Sequence, residues 1–222
     1  VTVVVEGCVT SLAEARECAD SGADRLELCY DLDVDGVTPG TALVEAVVQA
    51  IQIPAFVMVR SRPGPFVYAP DEVAAMEETV REMKAAGAAG IVVGALTDRG
   101  TVDQEALRRW VAAAGSLPVT FHRAFDEISD GSAALHTLMD IGVSRVLTGG
   151  GPGRAVDQAT ALAGLVDAAQ DRIGIIAAGG VRADHVSVLV ARTGVAEVHA
   201  RAEGVRALVR GLEGPVTTNA AR

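Results

Sequence analysis

Two copies of one short unit, Glu6-Gly7-Cys8 and Glu27-Leu28-Cys29, close two apolar runs near the start of the chain. Side chains two residues apart on a strand share a face, so each unit presents a carboxylate beside a thiol, and on adjacent strands the two thiols lie side by side. A thiolate pair suits a soft ion such as Cu(I), with a methionine or histidine as a third ligand. Two alternatives stand beside this: cysteines that only fill a crowded strand end, and an oxidative Cys8–Cys29 bridge, which a reducing compartment disfavours. Cys18 falls next to Ala15 and Ala19 in a helical stretch, where packing is its expected role.

Further polar residues follow later apolar runs: Arg60 and Arg62, then His122, Arg123 and Asp126, then Thr148, Gly179-Gly180, and His199 with Arg201. Together with Glu6 and Glu27 they make a set that binds a small anionic, sugar-like or phosphorylated metabolite and moves protons on it. In that reading Glu6 or Glu27 is the acid or base, His122 its partner, and Arg60, Arg62 and Arg123 the anion clamp. Asp126 either orients the His122 imidazole or caps the next helix. The runs beginning Thr148-Gly149-Gly150 and Gly179-Gly180-Val181 offer backbone N–H groups to a phosphate. His199 closes the last strand and faces the site or its supporting residues, whereas His136 and His185 fall within helices. A mutually neutralising ion network is the structural alternative.

These residues need a scaffold that brings strand ends together. Short β-branched runs start near Thr2, Arg25, Ala55, Gly90, Val119, Arg145, Ile173 and Glu197, and the stretches between them carry apolar residues at spacings of three and four, as in Val73, Met76, Val80 and Met83. Pro39 and Pro70 sit where a first helical turn tolerates a missing N–H, and Gly22, Gly87, Gly115, Gly142 and Gly194 mark helix ends. Eight strand–helix units in 222 residues predict one α/β domain, a (β/α)8 TIM-like barrel spanning residues 1–222. Gly204, Gly211, Gly214 and Pro215 predict an abbreviated last helical unit, and residues 217–222 a frayed tail. A doubly wound open sheet is the competing architecture, but no glycine triplet follows the first strand.

Composition narrows the partners. Nineteen basic against twenty-nine acidic side chains give a net charge of −10, and aromatic residues are 3% of the chain, which argues against nucleic acid. No apolar run approaches the roughly 18 residues of a membrane span, and the opening Val-Thr-Val-Val-Val reads as a strand rather than a signal segment. Three cysteines are too few for a disulfide scaffold, so a cytoplasmic protein with reduced thiols is expected. No motif for an organic cofactor stands out.

Arg25-Leu26-Glu27-Leu28-Cys29, Val57-Met58-Val59-Arg60-Ser61-Arg62, Phe121-His122-Arg123-Ala124-Phe125-Asp126, Arg145-Val146-Leu147-Thr148 and Glu197-Val198-His199-Ala200 resemble the CutC copper homeostasis family almost from end to end. The resemblance implies a cytoplasmic, homo-oligomeric (β/α)8 barrel linked to copper tolerance, binding Cu(I) through cysteines that match Cys8 and Cys29. The chain departs from the family pattern in Pro63-Gly64-Pro65, in Gly149-Gly150 after Thr148, in Ala177-Ala178 before Gly179, and at Arg201, where serine is usual.

Overall fold

A computed structural model describes residues 2–213. Strand and helix alternate throughout: β1 (Val4–Val9), α1 (Leu12–Asp20), β2 (Arg25–Leu28), α2 (Thr41–Ala50), β3 (Ala55–Met58), α3 (Pro70–Ala85), β4 (Gly90–Val93), α4 (Gln104–Ala114), β5 (Val119–Phe121), α5 (Gly131–Ile141), β6 (Arg145–Thr148), α6 (Ala159–Ala169), β7 (Gly174–Ala177), α7 (Val186–Thr193), β8 (Glu197–Arg201) and α8 (Ala202–Glu213). The strands pair in parallel in chain order and β8 closes onto β1, which makes the expected (β/α)8 barrel.

Local chemistry sets the helix starts. Ser11, Asp103 and Asp130 each accept a backbone N–H of the first turn of α1, α4 and α5. Pro70 opens α3, whose Glu72 carboxylate accepts the Ala69 N–H at 2.9 Å. The helices lay apolar stripes on the outer face of the sheet, so Val5, Leu26, Leu28, Val57 and Ile91 join Val44, Met76, Leu107 and Leu135 in one buried cluster. Trp110, fully buried on α4, ties that helix to α3 by donating its indole N–H to Val73 O at 3.1 Å.

Two expectations need correction. The last helix is not abbreviated: α8 runs twelve residues, longer than every other α-helix described except α3. Gly211 does not break it because tertiary packing uses its lack of a side chain: a Cβ there would stand 2.8 Å from Ala183 O, and Ser187 Oγ donates to Gly211 O. His185 precedes α7 instead of lying in it, and its Nε2 accepts the Arg182 N–H at 3.2 Å. Gly214, Pro215 and the tail 217–222 lie outside the described residues.

The inner face of the barrel is charged at its base. Arg25 donates to Glu6 and to Glu197, Arg145 donates to the same Glu197, and both guanidinium groups lie over the Phe56 ring at 5.1 and 5.4 Å. Gly90 makes room for that ring, since a Cβ there would come within 2.6 Å of three of its carbons. Gly90→Ala is therefore expected to lower the stability of the barrel by about 1–3 kcal/mol through overpacking, read as a shifted urea midpoint at unchanged slope.

Candidate functional site

Above this base, the carboxyl ends of the strands surround a cavity of about 1060 Å³. Cys8, Glu27, Met58, Arg60, His122, Arg123, Asp126, Gly179, Gly180 and His199 are among its lining residues, so strands from all round the barrel contribute. The two Glu-x-Cys units are not level: Cys8 stands opposite Glu27 and Glu6 opposite Arg25 in the β1–β2 register, while β8 places His199 opposite Glu6. That stagger separates the two glutamates. Glu6 belongs to the ion network at the base, and Glu27 belongs to the cavity.

Glu27 is 3% exposed, and one of its oxygens lies 2.9 Å from His199 Nε2. Burial opposes the carboxylate charge, but the His199 cation and its hydrogen bond prevail and hold the Glu27 pKa below its ordinary value. Burial likewise opposes charge on His199, yet Glu27 and then Glu6 raise its pKa, so each partner favours the charged form of the other. Burial raises the pKa of Glu6, and Arg25 offsets part of that rise. The second Glu27 oxygen, Oε1, has no hydrogen-bond partner among the described residues.

His122 behaves differently. Its Nδ1 accepts the Ala124 N–H at 3.1 Å, so the neutral ring carries its proton on Nε2, which is buried and unpartnered among the described residues. Burial, helped by the Arg60 charge, lowers its pKa to about 4. The uncharged ring is thereby favoured, with its Nε2 proton available to a ligand. Gly94 leaves the room that this ring occupies, and Phe66 covers it at a centroid distance of 4.9 Å.

The cysteines meet as expected. Cys8 and Cys29 are free and buried, with their sulfurs 3.4 Å apart, in an apolar cluster with Phe56, Met58 and Val92. The sulfur contact with Cys29, burial and the Glu27 charge all push the Cys8 pKa well up, which favours the protonated thiol at this position. Two adjacent thiols with a thioether in the same cluster are a soft donor set that fits Cu(I). Cys18 packs inside α1, as its neighbours implied.

Other expected residues take structural roles. Arg60 lines the cavity but donates to Val34 O, Gly36 O and Gly64 O, which leaves only Nε without a partner among the described residues. Arg62 turns away to Glu72, Pro65 O and Val67 O, and so braces the loop before α3. Asp126 neither orients His122 nor caps a helix. It accepts from Thr148 Oγ1 at 2.5 Å, from Gly149 N and from Arg123 Nε, so it fills the cradle that Thr148 and Gly149 would offer to an anion. The N–H groups of Gly179 and Gly180 have no such occupant among the described residues. Sequence reasoning missed Met58 and Phe66, although Met58 shares a strand face with Arg60 two residues on.

The chain matches the CutC family over residues 3–204. It is 39% identical over 203 residues to the copper homeostasis protein cutC homolog of Homo sapiens, covering 91% of this chain and 74% of that one. A family protein CutC of Pasteurella multocida is 39% identical over 202 residues, covering 91% and 83%. The crystal structure of a CutC protein from Streptococcus agalactiae superposes with a TM-score of 0.84 at 30% identity, covering 89% of this chain and 98% of that one.

The buried neutral imidazole gives folding a pH dependence of known sign. The folded-state pKa of His122, about 4, lies below the unfolded value of 6.5, so the unfolded chain binds more protons and stability falls as pH drops from about 6.5 towards 4. Between pH 7 and pH 5 this residue should remove about 2 kcal/mol. Urea unfolding of the parent and of His122→Gln at both pH values checks this, because only the parent carries that part of the loss.

Proposed function

The chain belongs to the CutC family, and we propose that it serves copper homeostasis in the cytoplasm by binding Cu(I) between Cys8 and Cys29. The observation that carries this reading is the 3.4 Å approach of two buried, free sulfurs, one of which, Cys8, belongs to the cavity lining. The name of the relative in Homo sapiens supports it, and so does the absence of disulfides among the three cysteines, which suits a reducing compartment. Met58 is the natural third donor. Because the Cys8 thiol is held protonated, copper must displace its proton, and binding weakens as pH falls.

A second reading has its own observation. Glu27 Oε1, His122 Nε2 and Arg60 Nε are buried without partners, and all three residues line the same cavity. Native proteins rarely leave such atoms unsatisfied unless a ligand meets them. In this reading the cavity takes a small anionic metabolite: Arg123 and the Gly179 and Gly180 N–H groups hold the anion, His122 donates to a carbonyl or developing oxyanion, and the Glu27–His199 pair moves the proton. Schiff-base chemistry is excluded at this site, because the chain's single lysine, Lys84, lies on α3 outside the barrel.

Anaerobic Cu(I) titration against a competing chelator is expected to show affinity falling by more than about 100-fold in a Cys8→Ala, Cys29→Ala variant; equal affinity in parent and variant overturns the copper reading. Inorganic phosphate is expected to raise the melting temperature of the parent and to lose that effect in Arg123→Ala, and a parent that does not respond to phosphate removes the support for an anion at Gly179 and Gly180.

A further inference from the structure

One sulfur of the copper pair also belongs to a different constellation. Cys8 Sγ, a Glu27 carboxylate oxygen and a His199 ring nitrogen lie within 4.8 Å of one another, and all three residues line the cavity. Cys29 has no place in this set. They come from β1, the end of β2 and β8, three neighbouring strands that barrel closure puts side by side.

We propose that Cys8, Glu27 and His199 form a second metal centre, which takes a borderline divalent cation such as Zn²⁺ and keeps a fourth position open to the cavity. Ligands at about 2.0–2.3 Å from a tetrahedral ion stand roughly 3.3–3.8 Å from one another, so a cluster within 4.8 Å needs to adjust by at most about 1.5 Å. One sulfur, one oxygen and one nitrogen make a harder donor set than two thiolates, which directs the site to zinc-like ions and away from Cu(I). Glu27 is buried and its Oε1 makes no well-formed hydrogen bond among the described residues, the Cys8 thiol being its near neighbour, so this oxygen is available to an ion that displaces the Cys8 proton. Glu6 Oε1, 4.0 Å from His199 Nε2, adds a second carboxylate next to the ion.

Three protein ligands and one free position are the arrangement of a catalytic zinc, whereas a structural zinc is closed by four. The free position opens on the space that His122 Nε2 and Arg123 border, so a ligand with a carbonyl or hydroxyl oxygen reaches the ion and these donors together. The centre does not depend on the copper reading. It shares only Cys8 with it, so the two ions compete for one sulfur.

Co²⁺, added anaerobically to metal-free protein, is the probe, because tetrahedral cobalt absorbs strongly in the visible and a thiolate ligand adds a near-ultraviolet charge-transfer band. Both features are expected in the parent and in Cys29→Ala, and Zn²⁺ should bleach them. The charge-transfer band should vanish in Cys8→Ser, and Co²⁺ affinity should fall by more than about 100-fold in Glu27→Gln and in His199→Gln. A weak octahedral spectrum in the parent, or loss of the charge-transfer band in a folded Cys29→Ala protein, overturns the proposal. Cys29→Ala also separates the two centres, since it should abolish tight Cu(I) binding while leaving the cobalt spectrum in place.

Discussion

Charge carried into a closed barrel has no solvent to meet it, so each group inside must find its counter-charge within hydrogen-bond reach. Arg25 is the point on which this structure depends. It joins Glu6 to Glu197, and Arg145 joins Glu197 again, so that four ionisable side chains and the Phe56 ring between them close the base of the barrel. Burial works against the Arg25 charge, but Glu6 and Glu197 more than compensate and raise its pKa. With Glu6 committed there, Glu27 is the carboxylate left for the cavity, and His199, facing inwards from β8, becomes its partner.

The same requirement shapes the mouth. Backbone carbonyls of three loop residues take the Arg60 guanidinium, and Asp126 takes the Thr148 hydroxyl and the Gly149 N–H. Both residues therefore stiffen the loops that carry the cavity wall. Among the described residues five buried polar atoms lack a partner, and three of them, Glu27 Oε1, His122 Nε2 and Arg60 Nε, belong to residues that line the cavity, while Tyr68 Oη and Thr120 Oγ1 lie outside that lining. Buried polar atoms without partners are costly, so the three that border one cavity mark where binding energy is available.

Metal chemistry at this mouth turns on Cys8. Towards Cys29 it is half of a soft pair, and towards Glu27 and His199 it is one corner of a mixed site. The 3.4 Å sulfur contact and the Glu27 carboxylate both favour its proton, so a cation has to exchange for that proton in either direction.

The barrel was legible from the chain alone, because eight apolar runs and eight amphipathic stretches are local patterns, and a parallel closed sheet is the fold that such alternation favours. The paired thiols were legible for the same reason: Cys8 and Cys29 end neighbouring strands. The roles of the charges were not. Whether Glu6 or Glu27 faces the cavity depends on a two-residue stagger between β1 and β2, and whether His199 meets Glu27 depends on β8 returning to β1 across 172 positions of sequence. Arg62 and Asp126 were placed by loop geometry, which strand periodicity does not describe. The sequence by itself determined which residues reach the rim, since periodicity and strand ends are encoded locally; only the tertiary structure decided which of them pair, because register and barrel closure are set by packing of the whole chain.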